Sequence, residues 1–201
     1  MQKLREQLHW YIPGALLGAT VFLWYAVAAE DRAGLLTVAF LDVGQGDAIY
    51  IESPTGTQIV VDGGPDRSVL RHLGKLMPFY DRTIDMLIVS NPDKDHFAGF
   101  LDVLRAYKVR AVMEPGTVGA SAEYREFEKL LGKGNPSTSR TRVLPLQKGE
   151  LGKGEKPKKI VARRGQVVNL GGGATLEILF PDRDVSGLNT NEGSIVAKLI
   201  Y

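Results

Sequence analysis

Short apolar stretches separated by turn residues predict most of the strands in this chain. Leu35–Val43 and Ala48–Ser53 are joined by Gly-Gln-Gly-Asp, and Gln58–Gly64 follows a second turn. Short runs rich in β-branched residues, with tight turns between them, are typical of a β-meander. The same criteria predict four later strands at Ile84–Ser90, Val109–Pro115, Thr175–Pro181 and Ser194–Tyr201.

Apolar positions spaced three or four apart predict helices between these strands. They are found in Asp66–Met77, Ala98–Tyr107 and Ser121–Leu131, and Asp66 and Ser121 are suitable N-caps. A meander followed by alternating strands and helices predicts an α/β layered domain over residues 33–201.

A longer apolar run lies before this domain. Trp10–Ala29 contains 20 residues without a charge, which as a helix would span about 30 Å, the thickness of a bilayer core. Lys3 and Arg5 precede the run, so the positive-inside rule predicts a cytoplasmic segment at 1–9, a single transmembrane helix at 10–29 and an extracytoplasmic domain at the cell membrane. Two alternatives are a signal peptide cleaved after the Ala-Val-Ala at 26–28 and a buried helix.

The amino-acid composition excludes several kinds of active site but says little about the fold. The 201 residues include no cysteine and three histidines, which excludes thiolate ligands, a cysteine nucleophile and a histidine-rich metal centre. The net charge of +2 gives no bulk argument for a nucleic-acid partner. Residues 147–166 hold seven basic and two acidic side chains, which suits either a solvated loop or a patch facing phosphate.

The most informative local pattern is the polar turn after the strand Ile84–Ser90. Alternate residues of an extended segment point the same way, so Asn91, Asp93 and Asp95 can converge, with His96 at the start of the next helix. Carboxylates and imidazole suit zinc, manganese or iron. The alternative is structural, with Asp95 as a helix cap and Asp93 as a turn residue.

The turn SNPDKDHFAGF resembles the signature loop of the metallo-β-lactamase-fold hydrolases, H-x-H-x-D-H. It is closer to the H-x-D-x-D-H form of the branch typified by the C-terminal domain of the DNA-uptake competence protein ComEC. FLDVGQGDAIYIESPTG, IVVDGG, RRGQVVNLGGGATLEILFPD and LNTNEGSIVAKLIY resemble other segments of that branch in matching order. The resemblance implies an αββα sandwich. Its second half is expected to be incomplete, because the chain ends in an apolar strand and the family's later ligands would lie beyond Tyr201.

The resemblance also assigns roles to residues. It implies that Asp93, Asp95 and His96 are metal ligands and that Asp95 and Asn91 serve catalysis, although Asn91 replaces the family's first histidine and an amide is a poor ligand. The remaining candidates, which support the site or are weaker, are Asp62, Asp47, Asn191 and Ser194. For Asp47, a plain hairpin turn at Gly-Gln-Gly-Asp is the alternative.

The function implied is a membrane-anchored, metal-dependent hydrolase, with phosphodiesters such as nucleic acid as the expected substrate class. The cofactor would be a divalent ion, zinc or manganese, bound weakly or not at all by this chain. The competing hypothesis is a non-catalytic binding module that keeps the sandwich and has lost its metal centre.

Overall fold

The computed structural model describes residues 2–30, 34–132, 143–146 and 156–201, and the chain divides into two units, 1–32 and 33–201. The first unit is one helix, α1 (Gln2–Glu30), with Pro13 inside it. Among the described residues no helix combines the length and apolarity needed to cross a membrane. The predicted transmembrane helix at 10–29 is therefore not supported, and the extracytoplasmic location stays a prediction.

Six strands of the second unit form one mixed sheet in the order β1-β2-β3-β4-β5-β7. The predicted meander is present, because β1, β2 and β3 pair antiparallel, while β4, β5 and β7 continue the sheet in parallel. The strands are β1 (Thr37–Phe40), β2 (Ile49–Glu52), β3 (Gln58–Val61), β4 (Thr83–Ile88), β5 (Lys108–Glu114) and β7 (Lys158–Val161).

A second sheet of four strands has the order β10-β9-β8-β6. Its β6 and β8 are parallel, and β8, β9 and β10 are antiparallel neighbours. The strands are β6 (Val143–Pro145), β8 (Val167–Gly171), β9 (Ala174–Phe180) and β10 (Val196–Ile200).

The helices of this unit are α2 (Ser68–Leu76), the single turn α3 (Lys94–Phe97), α4 (Phe100–Ala106) and α5 (Ala122–Leu131). The predicted cap of α5 is present, since the Ser121 hydroxyl accepts a hydrogen bond from the Tyr124 N–H at 3.0 Å. Helix α2 starts later than predicted, and Asp66 instead accepts from the N–H of its first residue, Ser68, at 2.8 Å.

Two apolar clusters divide the unit into three layers. Strand residues alternate between them, so that Val60 packs with the helices around Phe97 and Phe100, while Ile59 and Met86 pack against the second sheet. The described residues thus form a helical layer, the mixed sheet and the second sheet. This arrangement leaves the ends of the parallel strands as the place where irregular polar segments meet.

Candidate functional site

The polar turn lies where two parallel strands end side by side. β3 and β4 are parallel, with Val61 opposite Ile88, and both continue into irregular polar backbone. The carboxyl ends of parallel strands meet at one edge of a sheet, which is the usual place for a ligand site in such folds. Asp62 therefore lies against Ser90 and His96, although more than 25 positions separate it from either.

Asp62 is buried and has a left-handed backbone with a φ of +57°, a conformation that aspartate tolerates better than most residues. Its carboxylate accepts hydrogen bonds from the Ser90 N–H at 2.7 Å and from the Ser90 hydroxyl. It also accepts from Nδ1 of His96 at 2.9 Å. Burial raises the pKa of Asp62, and the hydrogen bonds from His96 and Ser90 act in the opposite direction.

The same pairing fixes the His96 ring. The hydrogen bond to Asp62 is the largest cause that raises the pKa of His96, and the charges of Asp62, Asp95 and Asp47 add to it. In the neutral imidazole with Nδ1–H donating to this carboxylate, Nε2 is the nitrogen left to act as an acceptor or ligand. A buried carboxylate behind an imidazole is the arrangement that commonly supports a metal-binding histidine.

The Gly-Gln-Gly-Asp turn forms a wall of this site as well as a hairpin. A Cβ on Gly46, whose φ is +76°, would lie 1.8 Å from the carbonyl oxygen of Asp95, so only glycine allows this approach. The carbonyl oxygen of Asp47 accepts from the Gly64 N–H at 3.0 Å, which ties the turn to the end of β3. The weak candidate Asp47 thus lies near His96, with an exposed side chain.

The other end of the turn is bound by protein groups. Asn91 is buried; its Oδ1 accepts from the Asp93 N–H at 3.0 Å and its Nδ2 donates to Oδ1 of Asn191 at 2.7 Å. The Asp93 carboxylate accepts from the Thr190 hydroxyl at 3.1 Å. Each polar end of the Asn91 amide thus makes one hydrogen bond to the protein, and the predicted catalytic role of Asn91 stays a prediction.

Segment 189–195 supplies these contacts and is itself anchored. The Ile195 N–H donates to the carbonyl oxygen of Ser90 at 2.8 Å, and the Ser194 hydroxyl donates to the carbonyl oxygen of Thr190 at 3.3 Å. Of the two weak candidates on this segment, Asn191 reaches the turn and Ser194 bonds within the segment. The sequence analysis did not single out Thr190, Ser90 or Gly46. Thr190 could have been noticed as a hydroxyl next to Asn191. Ser90 is the last residue of the predicted strand, and Gly46 is the glycine next to Asp47.

The helix-cap alternative for the turn is not what the structure shows. The N-cap position of α3 is Asp93, and its side chain makes no capping hydrogen bond. Asp95 lies inside the first turn of α3.

The set of ligands predicted from the sequence is incomplete as a metal site. Within the described ranges, no group of three histidine, cysteine, aspartate or glutamate side chains is arranged to hold a metal ion. At Asp93 one carboxylate oxygen, Oδ2, accepts from the Thr190 hydroxyl, which directs that oxygen to segment 189–195. Asp95 and His96, with Asp62 behind the ring, fit one end of a cation site. At the other end Asn91 offers only a neutral amide, and Asp93 shares its carboxylate with Thr190.

The phosphate-facing patch at 147–166 stays a prediction. Residues 147–155 lie outside the described residues. Lys159, within the described part, pairs with Glu114 at 3.4 Å and with Glu128 at 2.6 Å, and the Lys156 ammonium donates to the carbonyl oxygen of Leu130.

A family profile of the metallo-beta-lactamase superfamily matches residues 41–192, which include the whole polar turn and Asn191. This chain belongs to the metallo-beta-lactamase superfamily. The mixed α/β fold predicted from the resemblance is therefore confirmed at the level of the superfamily, whose members usually bind divalent metal. The narrower likeness to the ComEC branch stays a prediction.

Solved structures of superfamily members are distant from this chain. MEM-A1, a subclass B3 metallo-beta-lactamase isolated from a soil metagenome library, is 21% identical over 75% of this chain and 51% of its own, with a TM-score of 0.43. A HARLDQ-motif mutant of a Cronobacter sakazakii metallo-beta-lactamase is 18% identical over 84% and 57%, with a TM-score of 0.46. The same organism's HARLDQ-motif enzyme is 20% identical over 71% and 49%, with a TM-score of 0.42.

The chain thus spans about half the length of the solved structures that it matches. No curated protein matches it.

Proposed function

We propose that this domain is a metal-dependent hydrolase with a reduced site, in which Asp95 and His96 bind one divalent cation, zinc or manganese. The observation that carries the proposal is the hydrogen bond at 2.9 Å from Nδ1 of His96 to the buried Asp62. It holds the ring in one orientation and leaves Nε2 for a ligand, as expected of a histidine that binds metal.

A phosphodiester, with nucleic acid as one example, is the proposed substrate class. Mg²⁺ held by one or two carboxylates commonly completes its coordination with water and substrate phosphate oxygens. A cation held here by only two protein donors, Asp95 and His96, would have room for both in the same way. The ComEC-like motifs of the sequence favour the same class.

The charges around the turn make a cation necessary for such a substrate. Asp47 and Asp95 lie near enough to His96 to raise its pKa, and Asp62 is bonded to it. Several carboxylates at one edge of the sheet would repel an anionic phosphodiester unless a cation offset their charge. When bound, that cation would lower the pKa of a coordinated water and stabilise the charge that develops in the transition state.

The chain's own residues have positioning roles in this proposal. Asp62 fixes the tautomer of His96 and makes the imidazole more basic. Gly46 lets the first turn lie directly on the backbone of Asp95. Asn91 and Asp93 hold segment 189–195 beside the cleft.

The second candidate function is a non-catalytic binding module. It is favoured by the engaged amide of Asn91 and by the lack, within the described ranges, of a three-donor group. In this alternative Asp95 and His96 would contribute packing and charge without holding a cation.

Calorimetric titration separates the two candidates. The full chain, stripped with a chelator, is titrated with zinc and with manganese alongside Asp95→Ala, His96→Ala and the control Asp102→Ala, whose carboxylate pairs with Arg105 on α4. We expect the first two variants to lose at least the roughly 10- to 100-fold in affinity that is typical when a residue supporting a ligand is removed, and the control to keep its affinity. Hydrolysis of bis(p-nitrophenyl) phosphate should follow the same order. Equal affinity in all four proteins would refute the cation site and leave the binding module.

A further inference from the structure

We propose that a clasp of side-chain hydrogen bonds stands in for a second cation in this chain. The clasp consists of the Asn91–Asn191 amide pair and the Thr190–Asp93 hydrogen bond. It joins the two signature positions that a superfamily metal would be expected to use, Asn91 and Asp93, to segment 189–195. The inference deepens the proposed function, on which it rests only for the single cation at Asp95 and His96.

The orientation of both amides follows from one fixed donor. The Asp93 N–H can only donate, so the Asn91 atom that meets it at 3.0 Å must be the oxygen. The amide NH2 of Asn91 then faces Asn191, which must present its own oxygen at 2.7 Å. Both polar ends of a buried side chain are thus satisfied without a metal ion or a charge.

The amide pair also opposes binding of a cation at this end. The oxygen of Asn91 already accepts from a backbone donor, and its NH2 group, which cannot bind a cation, faces Asn191. The oxygen of Asn191 accepts from that NH2. A cation at this end would therefore meet two neutral amide oxygens that each already accept a hydrogen bond, in place of the imidazole or carboxylate donors that zinc prefers.

Segment 189–195, which the clasp binds to the polar turn, also makes contacts at Gly193 and Ile195. The Ile195 N–H donates to the Ser90 carbonyl oxygen at 2.8 Å. Gly193 packs so tightly that a Cβ there would lie 2.3 Å from Cγ2 of Thr117. Segment 189–195 is therefore attached to the turn by direct protein contacts at three positions, 190, 191 and 195, and needs no metal ion as a bridge.

Hydrogen exchange with mass spectrometry tests whether the clasp or a metal holds the segment. The full chain is measured with and without EDTA, together with Asn191→Ala and Thr190→Val. The control is Asn169→Ala, another exposed asparagine, whose oxygen accepts from the Gly171 N–H instead. EDTA should leave exchange of 189–195 unchanged in the native chain. Each clasp variant should raise it about fivefold, as expected for the net loss of one hydrogen bond, and the control should leave it unchanged.

Zinc stoichiometry provides the second measurement. The native chain should bind no more than one zinc ion, and Asn91→His combined with Asn191→Ala should raise the number toward two. Faster exchange of 189–195 in EDTA, or two zinc ions on the native chain, would overturn the clasp, and neither result requires a variant to fold. No bound zinc with unchanged exchange would support the clasp and sink the single-cation hydrolase, so the two proposals fail separately.

Discussion

Gly99 follows the polar turn and lies directly against the backbone that continues from β3. Its replacement by alanine tests how closely these two segments pack. A Cβ on Gly99 would lie 2.1 Å from the carbonyl oxygen of Gly63 and 2.4 Å from that of Asp66. Both contacts are with backbone atoms, so no side-chain rotation can relieve them. The φ of Gly99 is −61°, which any residue adopts, so the expected effect is steric alone.

The size of the effect follows from these distances. Ordinary contact begins at 3.4 Å, so the backbone must move by more than an ångström, and the hydrogen bond at 3.0 Å from the Gly99 N–H to the Gly64 carbonyl oxygen would stretch with it. Overpacking costs about 1–3 kcal/mol and a lost hydrogen bond about 1 kcal/mol, so we expect Gly99→Ala to lose about 3 kcal/mol. With a urea m-value of about 2 kcal/mol per molar, the midpoint should fall by about 1.5 M.

Gly74→Ala is the matched control, because that glycine lies in α2 and a Cβ added to it would meet nothing within 4 Å. There the same substitution should raise stability by about 0.5–1 kcal/mol, through helix propensity. Urea unfolding followed by far-UV circular dichroism is the suitable assay, since both tryptophans, Trp10 and Trp24, lie in α1 and not in the domain under test. A Gly99→Ala midpoint equal to the native one would refute the steric reasoning.

Two further predictions use other contacts of the domain. Lys159→Met should cost about 3 kcal/mol at neutral pH, because it leaves the buried Glu114 without its ammonium partner at 3.4 Å. Burial raises the pKa of Glu114, so as the pH falls the folded chain takes up a proton on Glu114 before the unfolded chain does. The loss of stability in Lys159→Met, measured from urea midpoints, should therefore shrink as the pH falls from neutral toward about 5. An equal loss at the two pH values would contradict this. Gly46→Ala should weaken zinc binding at least about tenfold by displacing Asp95. Gly44→Ala is the control and should not, because Gly44 has a similar φ of +83° but a Cβ added there would meet nothing within 4 Å. Equal zinc affinities of the two variants would show that the contact of Gly46 with Asp95 is unimportant.

The sequence pointed to Asp62 only through the family resemblance, which made it a support for the polar turn. The structure supplies the physical reason: β3 and β4 are parallel neighbours, and the carboxyl ends of such strands meet at one edge of a sheet. The position of Asp93 and its neighbours on one turn, in contrast, followed from their spacing. What local pattern could not supply was Asn191, which is 100 positions away from Asn91 and was reached only through the order of the family's motifs.

Other features were beyond the sequence because irregular backbone carries no periodic signal. Thr190 lies on a segment without strand or helix spacing, and its bond to Asp93 depends on how that segment folds back. The predicted helix Ala98–Tyr107 begins only at Phe100, since the Gly99 N–H bonds to Gly64 across the sheet edge. The transmembrane helix was predicted because Trp10–Ala29 contains 20 residues without a charge. A membrane-crossing helix must also be sufficiently apolar, and no helix among the described residues meets that requirement.

The chemistry of Asp62 supports the proposed cation site over a merely structural turn. Its carboxylate is buried, and burying a charge costs free energy that a helix start does not require. An asparagine, which also tolerates the left-handed backbone, could accept from the Ser90 N–H through its oxygen and donate to the Ser90 hydroxyl through its NH2. Its NH2 could not accept from Nδ1 of His96, so that contact is the one that requires a carboxylate. That bond makes the imidazole more basic and holds Nε2 in a fixed direction, which benefits a cation and gives a packing residue no advantage. The proposed role of His96 as a ligand would therefore account for the free-energy cost at Asp62.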